Sequence, residues 1–382
     1  MAACAVNARR ALLLLVAGAL VLAVIMVAGG YNVSAAAGHL PPVQALLHWT
    51  MQNSVTVRAR TPAPEDLDSD VRAMAGAGHY DLVCRDCHGA PGVPLTAVAK
   101  SLEPPPPHIL DAVAAWQPDE LFWIVKHGIK MTAMPAWPSQ HRDDEVWSMV
   151  AFLKRLPGMD ADTYQRAVSG PPAGQERPPA ESAFDAELER CARCHGYDGR
   201  GMAAVAFPRL DGQSATYLHN ALQAFAAGER ASGIMQAHAT EAPRGHFEDL
   251  ARHYAEAGAG RGGEDAGARP SSSDGQGDAR RGERIAREGL PRRRVPACAA
   301  CHGPASYPLA SAYPRLAGQP APYIEAQLRL FRDGYRGGSE FAGIMTLAAE
   351  ALEDRDIVAV ADYYASLDGA EVASAHDDVP VE

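Results

Sequence analysis

The stretch CRDCHG (84–89) holds two cysteines three positions apart, with a histidine directly after the second cysteine. The same pattern returns as CARCHG (191–196) and as CAACHG (298–303). With 7 Cys and 14 His in 382 residues, three such matches do not arise by chance. The first cysteines stand at positions 84, 191 and 298, so the motif repeats every 107 residues. This period indicates an array of three small domains, because the repeats of solenoid proteins are much shorter.

Paired cysteines serve zinc binding, thiol–disulfide exchange or haem attachment. A structural zinc site needs four protein ligands, whereas each unit has one cysteine pair. A redox dithiol does not explain the histidine that follows the pair in all three copies. Haem attachment accounts for both cysteines and the histidine of the motif, because the two thiols form thioethers with the porphyrin and the histidine ligates the iron. The sequence therefore predicts three covalently bound haem c groups, held by Cys84, Cys87, His88, Cys191, Cys194, His195, Cys298, Cys301 and His302.

Composition restricts the possible partners. The formal net charge is -11 and the pI is about 5.7, without the basic patch or stripe that marks nucleic-acid binding. Six of the seven cysteines belong to the repeated motif, so no disulfide framework is left over. We expect redox proteins as partners and no nucleic acid.

The N-terminal segment predicts a membrane anchor. Arg9 and Arg10 precede an uncharged apolar run, 11–30, which is long enough to cross a bilayer as a helix. It also exceeds the usual apolar core of a signal peptide. The two arginines place the N-terminus in the cytoplasm, so we expect the haem domains to face the periplasm from the bacterial inner membrane. The alternative is a cleaved signal, since VSAAAG (33–38) suits a signal peptidase.

The segment after the anchor predicts one more helix outside the haem units. It starts after Pro41 and Pro42 and carries several apolar residues, among them Trp49. It either packs on the first domain as a stalk or lies at the membrane surface, with Trp49 in the interfacial belt.

The patterns within the three units are helical. PDELFWIVKHGI (118–129) and DDEVWSMVAFLKRL (143–156) begin with acidic residues and carry basic ones towards their ends, which suits the helix dipole. No stretch shows convincing strand alternation. The predicted fold class is all-α: three tandem small domains, each wrapped round a covalent haem, after an N-terminal transmembrane helix.

Two segments rich in Pro, Gly or polar residues separate the units. The predicted boundaries are 1–30 for the anchor or signal, 31–66 for the juxtamembrane segment, 67–157 for the first unit, 158–182 for a Pro-rich linker, 183–256 for the second unit, 257–279 for a flexible linker, 280–370 for the third unit and 371–382 for a tail.

The second axial ligand of each iron decides between electron transfer and catalysis. Each unit offers a methionine 40 to 46 residues after its motif histidine, and methionine is usual in electron-transfer cytochromes c. In units two and three it is the last residue of a shared GIM tripeptide, which gives Met235 and Met345. In unit one Met134 is the predicted ligand and Met131 its competitor. Three histidines of unit one are further alternatives, namely His108, His127 and His141.

The motifs and their surrounding segments resemble those of a known family. Each unit is similar to a bacterial class I cytochrome c, and units two and three together resemble the dihaem cytochrome c4 type. The segments FPRLDGQSATYLHNALQAFAAGER (207–230) and YPRLAGQPAPYIEAQLRLFRDGYR (313–336), each followed by GIM, carry this likeness. Unit one lacks them. It resembles single-haem class I domains through its MPAW loop and its last helix.

The resemblance implies roles for further residues. In similar cytochromes a proline carbonyl accepts the hydrogen bond of the second nitrogen of the haem histidine, which implies Pro208 and Pro314. One proline within EPPPPHI (103–109) corresponds in unit one, and the sequence does not say which. Arg209 and Arg315 either pair with haem propionates or are exposed arginines near a turn.

These observations predict an electron carrier and not an enzyme. We expect a membrane-anchored three-haem cytochrome c that transfers electrons in a periplasmic respiratory chain towards a terminal oxidase. Its redox partners would be an oxidase, a quinol-oxidising complex or a dehydrogenase. One alternative is the cytochrome c subunit of a membrane-bound dehydrogenase complex. Another is a haem enzyme with an open iron position in the first unit.

Overall fold

The secondary structure is helical throughout the computed structural model, which describes residues 8–169, 181–201, 207–257, 276–303 and 310–367. Within these ranges no β-ladder forms, and the only extended pairings are three isolated bridges. The predicted all-α fold is confirmed. Most of the predicted linker 257–279 and the whole tail 371–382 lie outside the described residues.

Two helices precede the first unit: α1 (Ala8–Val27) and α2 (Pro41–Arg58). No part of the apolar span in α1 is buried, and its mean hydropathy of 2.7 is that of a membrane-crossing helix or a signal sequence. The end of α2 packs on the first unit, where Val55 is fully buried and Thr56 Oγ1 donates to Glu120 Oε1 at 2.6 Å. Trp49, further from the unit, is 63% exposed.

The first unit is built on the crossing of its first and last long helices. Its helices are α3 (Asp70–His79), continued by a π-helical turn Tyr80–Cys84, then α4 (Arg85–His88), α5 (Ala97–Lys100), α6 (Ile109–Ala115), α7 (Pro118–His127), α8 (Asp143–Arg155) and α9 (Ala161–Val168). At the crossing of α3 with α8, a Cβ on Gly76 would lie 2.5 Å from the carbonyl oxygen of Ser148. Only glycine therefore lets the two backbones approach so closely. Phe122 of α7 stacks on Trp147 of α8 with ring centroids 4.4 Å apart, which completes the core.

The first unit extends further along the chain than its composition indicates. Residues 161–168, assigned above to the Pro-rich linker, form α9. Tyr164 and Val168 of this helix are buried in the core of the first unit, and Tyr164 Oη donates to Asp81 at 2.8 Å. Composition does not indicate this amphipathic helix, because prolines lie close to it in the sequence.

The second and third units have similar helices. Unit two contains α10 (Ala183–His195), α11 (Ala215–Ala226), α12 (Gly233–Glu241) and α13 (Phe247–Ala257). Unit three contains α14 (Gln276–Glu288), α15 (Ala299–His302), α16 (Ala321–Arg332), α17 (Ala342–Ala349) and α18 (Asp354–Ser366). In unit three, Asp356 in the first turn of α18 is fully buried and accepts hydrogen bonds from Arg281 and Arg293, which hold this turn in place.

Candidate haem sites

The three motifs have the same local geometry. Each histidine is the last residue of a helix, and the glycine after it turns the chain away with a positive φ of 68°, 72° or 79°. At Gly89 the turn is tight, because a Cβ there would lie 2.7 Å from both His108 Nε2 and the Val93 carbonyl oxygen. Glycine is therefore required where the chain leaves the motif.

A proline carbonyl orients each motif histidine. The Nδ1 atoms of His88, His195 and His302 lie 3.1, 3.2 and 2.9 Å from the carbonyl oxygens of Pro107, Pro208 and Pro314, respectively. In a neutral imidazole this hydrogen bond places the proton on Nδ1 and leaves the lone pair on Nε2. Ligating histidines are commonly oriented in this way. Pro107 is the proline of unit one that the sequence did not single out.

Burial keeps these imidazoles neutral. It lowers the pKa of His195 to about 4, and it also lowers the pKa values of His88 and His302. A neutral ring at pH 7 has a free lone pair to offer to a metal.

Four of the six motif cysteines lack the environment of reactive thiols. Burial raises the pKa of the Cys84, Cys191 and Cys194 thiols to about 12, and that of Cys298 to about 11. A redox dithiol has a lowered thiol pKa instead. In the described part of the chain, no group of three or more His, Cys, Asp or Glu side chains is arranged to hold a metal ion. Covalent haem attachment is the chemistry that this donor set fits.

Units two and three, with a few residues of unit one, line one continuous open cavity of about 1140 Å³. Met235 lines it together with the motif of unit two, and Met345 lines it together with the motif of unit three. Apolar side chains complete the wall, among them Leu218, Leu250, Ile324, Leu328 and Val360. An apolar cavity with a histidine and a methionine in each half suits two haem groups.

In unit one the two candidate methionines differ in exposure. Met131 has a left-handed φ of 64° and an 84% exposed side chain, whereas Met134 is half-buried. The alternative histidines have other contacts. His108 caps α6 and donates through Nε2 to the Val93 carbonyl, His127 packs on Trp123, and His141 stacks on Tyr335 of unit three. Met134 is thus the candidate that is partly enclosed by unit one.

Units two and three meet through the segment that they share. Gln213 accepts from the Arg315 N–H and donates to its carbonyl, both at 2.9 Å. Gln319 makes the reciprocal pair with the backbone of Arg209, at 3.0 and 2.7 Å. The repeated Leu-x-Gly-Gln motif therefore forms a pseudo-two-fold contact. The Arg209 guanidinium itself pairs with Asp211.

A buried cationic cluster extends this interface, and sequence reasoning did not assign it a role. Arg230 of unit two donates to Tyr323 Oη of unit three at 2.8 Å, and an isolated bridge joins Arg230 to Arg336. Burial alone would raise the pKa of Tyr217, but the two arginines lower it to about 8. Burial lowers the pKa of Arg336 to about 10. The signal in the sequence was the Arg that ends both copies of the shared segment.

Units one and two also touch, at the haem attachment site of unit two. A Cβ on Gly78 would lie 3.0 Å from Cys194 Sγ, and the adjacent Arg193 pairs with the buried Asp81 at 2.6 Å. His79 lies 3.4 Å from His238 across the same interface, measured between Nδ1 and Nε2.

Two family models match the chain. The model described as cytochrome c oxidase, cbb3-type, subunit III matches residues 71–153, and the model described as cytochrome c matches residues 181–253. The matches fall on units one and two, each across its haem attachment motif.

Individual relatives match over longer stretches. A protein of Stutzerimonas stutzeri (strain A1501) named thiosulfate dehydrogenase electron acceptor is 37% identical over 179 residues, covering 46% of this chain and 78% of that protein. Cytochrome c4 of Pseudomonas aeruginosa is 31% identical over 190 residues, covering 49% of this chain and 88% of that protein. The crystal structure of reduced recombinant cytochrome c4 from Pseudomonas stutzeri is 29% identical with a TM-score of 0.41, over 49% of this chain and 97% of that chain.

Fold, attachment motifs and relatives agree on a helical electron-transfer protein with covalently bound haem c. The chain belongs to the class I cytochromes c, as a multihaem member with cytochrome c4-like units. The predicted family and the three haem c cofactors are confirmed.

Proposed function

We propose that this chain relays electrons from a periplasmic dehydrogenase to a terminal oxidase in the inner membrane. Electrons enter at the cytochrome c4-like pair of units two and three and leave from unit one. The observation that carries this proposal is the position of unit one, which packs against α2, directly after the apolar helix α1.

The relatives support both ends of the relay. A relative that matches about half of the chain is named an electron acceptor of thiosulfate dehydrogenase, so we propose a dehydrogenase acting on thiosulfate as the electron donor. Unit one matches a model described as a subunit of cbb3-type cytochrome c oxidase, so we propose an oxidase of that kind as the acceptor. The apolar α1 serves as the anchor that keeps unit one at the membrane.

The residues of the chain hold and orient each cofactor. Bound haem supplies a one-electron Fe(III)/Fe(II) couple. We propose that His88 with Met134, His195 with Met235, and His302 with Met345 would hold the three haem irons, while Pro107, Pro208 and Pro314 fix the imidazole orientations. With two protein ligands at each iron, substrates would be excluded and only electrons would pass.

The contacts between units support transfer within one chain. Unit two presents Cys194 to Gly78, which precedes Cys84 by six residues. Units two and three share one cavity. Unit two thus contacts both other units, and unit one also touches unit three, where His141 stacks on Tyr335.

Optical and EPR spectra of the membrane-extracted full chain, with CO added to the reduced form, test the ligation. We expect three low-spin haems, the weak far-red band of His–Met ligation and no CO binding. In Met134→Leu one haem should become high-spin and bind CO, whereas Met131→Leu should match the parent. A CO-reactive haem in the parent protein would overturn the relay and support a haem enzyme with an open site in unit one.

The direction of transfer needs a second experiment. A thiosulfate dehydrogenase with thiosulfate should reduce the full chain, and membranes containing a cbb3-type oxidase should reoxidise it. Absence of reduction would refute the proposed donor. Reduction without reoxidation would refute the oxidase and favour the alternative, a cytochrome subunit of a dehydrogenase complex.

A further inference from the structure

One carboxylate of unit one reaches into unit two. Glu145 lies in the first turn of α8 and is only 6% exposed. Its Oε2 accepts from the Gly233 N–H at 2.7 Å and the Ile234 N–H at 3.4 Å. Its Oε1 accepts from Ser232 Oγ at 2.5 Å. Ser232 is the N-cap of α12 in unit two, and Gly233 and Ile234 belong to the first turn of that helix.

Unit one fixes the orientation of this carboxylate. Trp137 Nε1 donates to Glu145 Oε2 at 3.2 Å, and the Arg142 guanidinium pairs with Oε1 at 2.8 Å. Arg142 also donates to the Ala231 carbonyl at 3.1 Å. A side chain at Gly233 would overlap the Trp137 indole, so α12 sits directly against unit one.

The helix held in this way carries the proposed axial ligand of the second haem. Met235 is the third residue of α12, and its N–H donates to Ser232 Oγ at 3.0 Å. The first turn of any helix has N–H groups without intrahelical partners, and these need an acceptor when they are buried. Here the acceptor for the turn that bears Met235 comes from another unit, so the position of the methionine depends on the docking of unit one.

We propose that Glu145 is a positioning residue for the second haem: through α12 it sets the placement of Met235 and thereby the reduction potential of that haem. This inference rests on the proposed ligation by Met235. A charge-assisted hydrogen bond is stronger and geometrically more demanding than a neutral one. Loss of the carboxylate should therefore release the methionine loop.

The test compares Glu145→Gln and Glu145→Ala with the parent in potentiometric titrations and far-red absorption of the full chain. In Glu145→Ala we expect about a tenfold change in the reduction equilibrium of one haem, which is 59 mV for a one-electron couple, and a weaker far-red band. Glu145→Gln keeps an acceptor oxygen and should rescue part of both effects. It also serves as the readout if Glu145→Ala does not fold.

Asp143→Asn is the matched control. Asp143 lies in the same helical turn, but it pairs with Lys126 within unit one. All three potentials should match the parent in this variant.

Met235→Leu separates the two proposals. If Met235→Leu alters one haem and both Glu145 variants keep parental potentials, the positioning role is refuted and the ligation stands. A loss of stability in Glu145→Ala without a shift in potential also refutes that role. If Met235→Leu leaves every haem unchanged, the proposed ligation itself is wrong.

Discussion

Removal of the Gln213 side chain should open the contact between units two and three. This amide is 4% exposed, and it pairs both the N–H and the C=O of Arg315 across the interface. In Gln213→Ala both backbone groups lose their partner while they remain at the interface. The reciprocal pair at Gln319 is left in place.

The free-energy cost of Gln213→Ala comes from the N–H and C=O groups of Arg315 that lose their partner. A buried donor or acceptor without a partner costs about 1–3 kcal/mol. Two such groups, with partial compensation by water that enters the gap, give about 2–4 kcal/mol for the docked state. Because the Gln319 pair depends on the same docking, Gln213→Ala with Gln319→Ala should cost less than the sum of the single changes.

Hydrogen exchange of the full chain, followed by mass spectrometry, reports this change directly. The amide of Arg315 should exchange about 30-fold to several hundred-fold faster in Gln213→Ala, since each 1.4 kcal/mol is a factor of ten. Exchange in the core of unit one should not change. Gln223→Ala is the matched control, because Gln223 lies in the same unit with an exposed side chain.

Parental exchange of the Arg315 amide in Gln213→Ala would refute this reasoning. It would mean that the hydrogen bonds of Gln213 contribute nothing to the docking of units two and three. Equal acceleration in Gln223→Ala would refute it as well, since the effect would then belong to unit two as a whole.

Three further changes should act through contacts described above. Gly76→Ala places a Cβ against a backbone carbonyl at the helix crossing of unit one and should lower the free energy of unfolding by about 1–3 kcal/mol, measured as a lower Tm. The control is Gly158→Ala, which places its Cβ in open space and should melt like the parent. Burial alone would raise the pKa of Asp356, but hydrogen bonds from Arg281 and Arg293 hold it below its ordinary value. Its contribution to stability is therefore full above the ordinary Asp pKa of about 3.9 and is lost as the pH falls below that value towards the lowered pKa. Asp356→Asn should flatten the acid limb of denaturation. Burial lowers the pKa of His79 to about 3 and that of His238 to about 4. The contact between units one and two should therefore weaken as the pH falls below about 6.5, the ordinary pKa of histidine. Hydrogen exchange measures this, and a contact that does not depend on pH would contradict it.

Local signals in the sequence predicted the helices and the attachment sites. The motif spacing indicated three units, and the acidic and basic ends of 118–129 and 143–156 predicted α7 and α8, which the structure contains. These features depend on residues a few positions apart. The helix α9 was assigned to a linker because composition averages over prolines that lie beside an amphipathic turn.

Contacts between units could not be predicted in the same way. Glu145 looks like an acid that complements a helix dipole, and nothing near it in sequence indicates that its partners are at 232–234. The glutamines of the shared segment were visible as a repeated pattern. Their pairing with the opposite copy, however, needs the relative placement of two domains.

The contact between units two and three and the contact between units one and two differ in symmetry. Units two and three pair through the equivalent residues Gln213 and Gln319. Unit one contacts unit two through residues without such a counterpart: Glu145 holds α12 of unit two, and no equivalent helix of unit one is held in return by any described contact. An asymmetric contact of this kind can change the potential of one haem without an equivalent change at the other. The proposed role of Glu145 thus places one determinant of the potential of the second haem at the interface between units one and two.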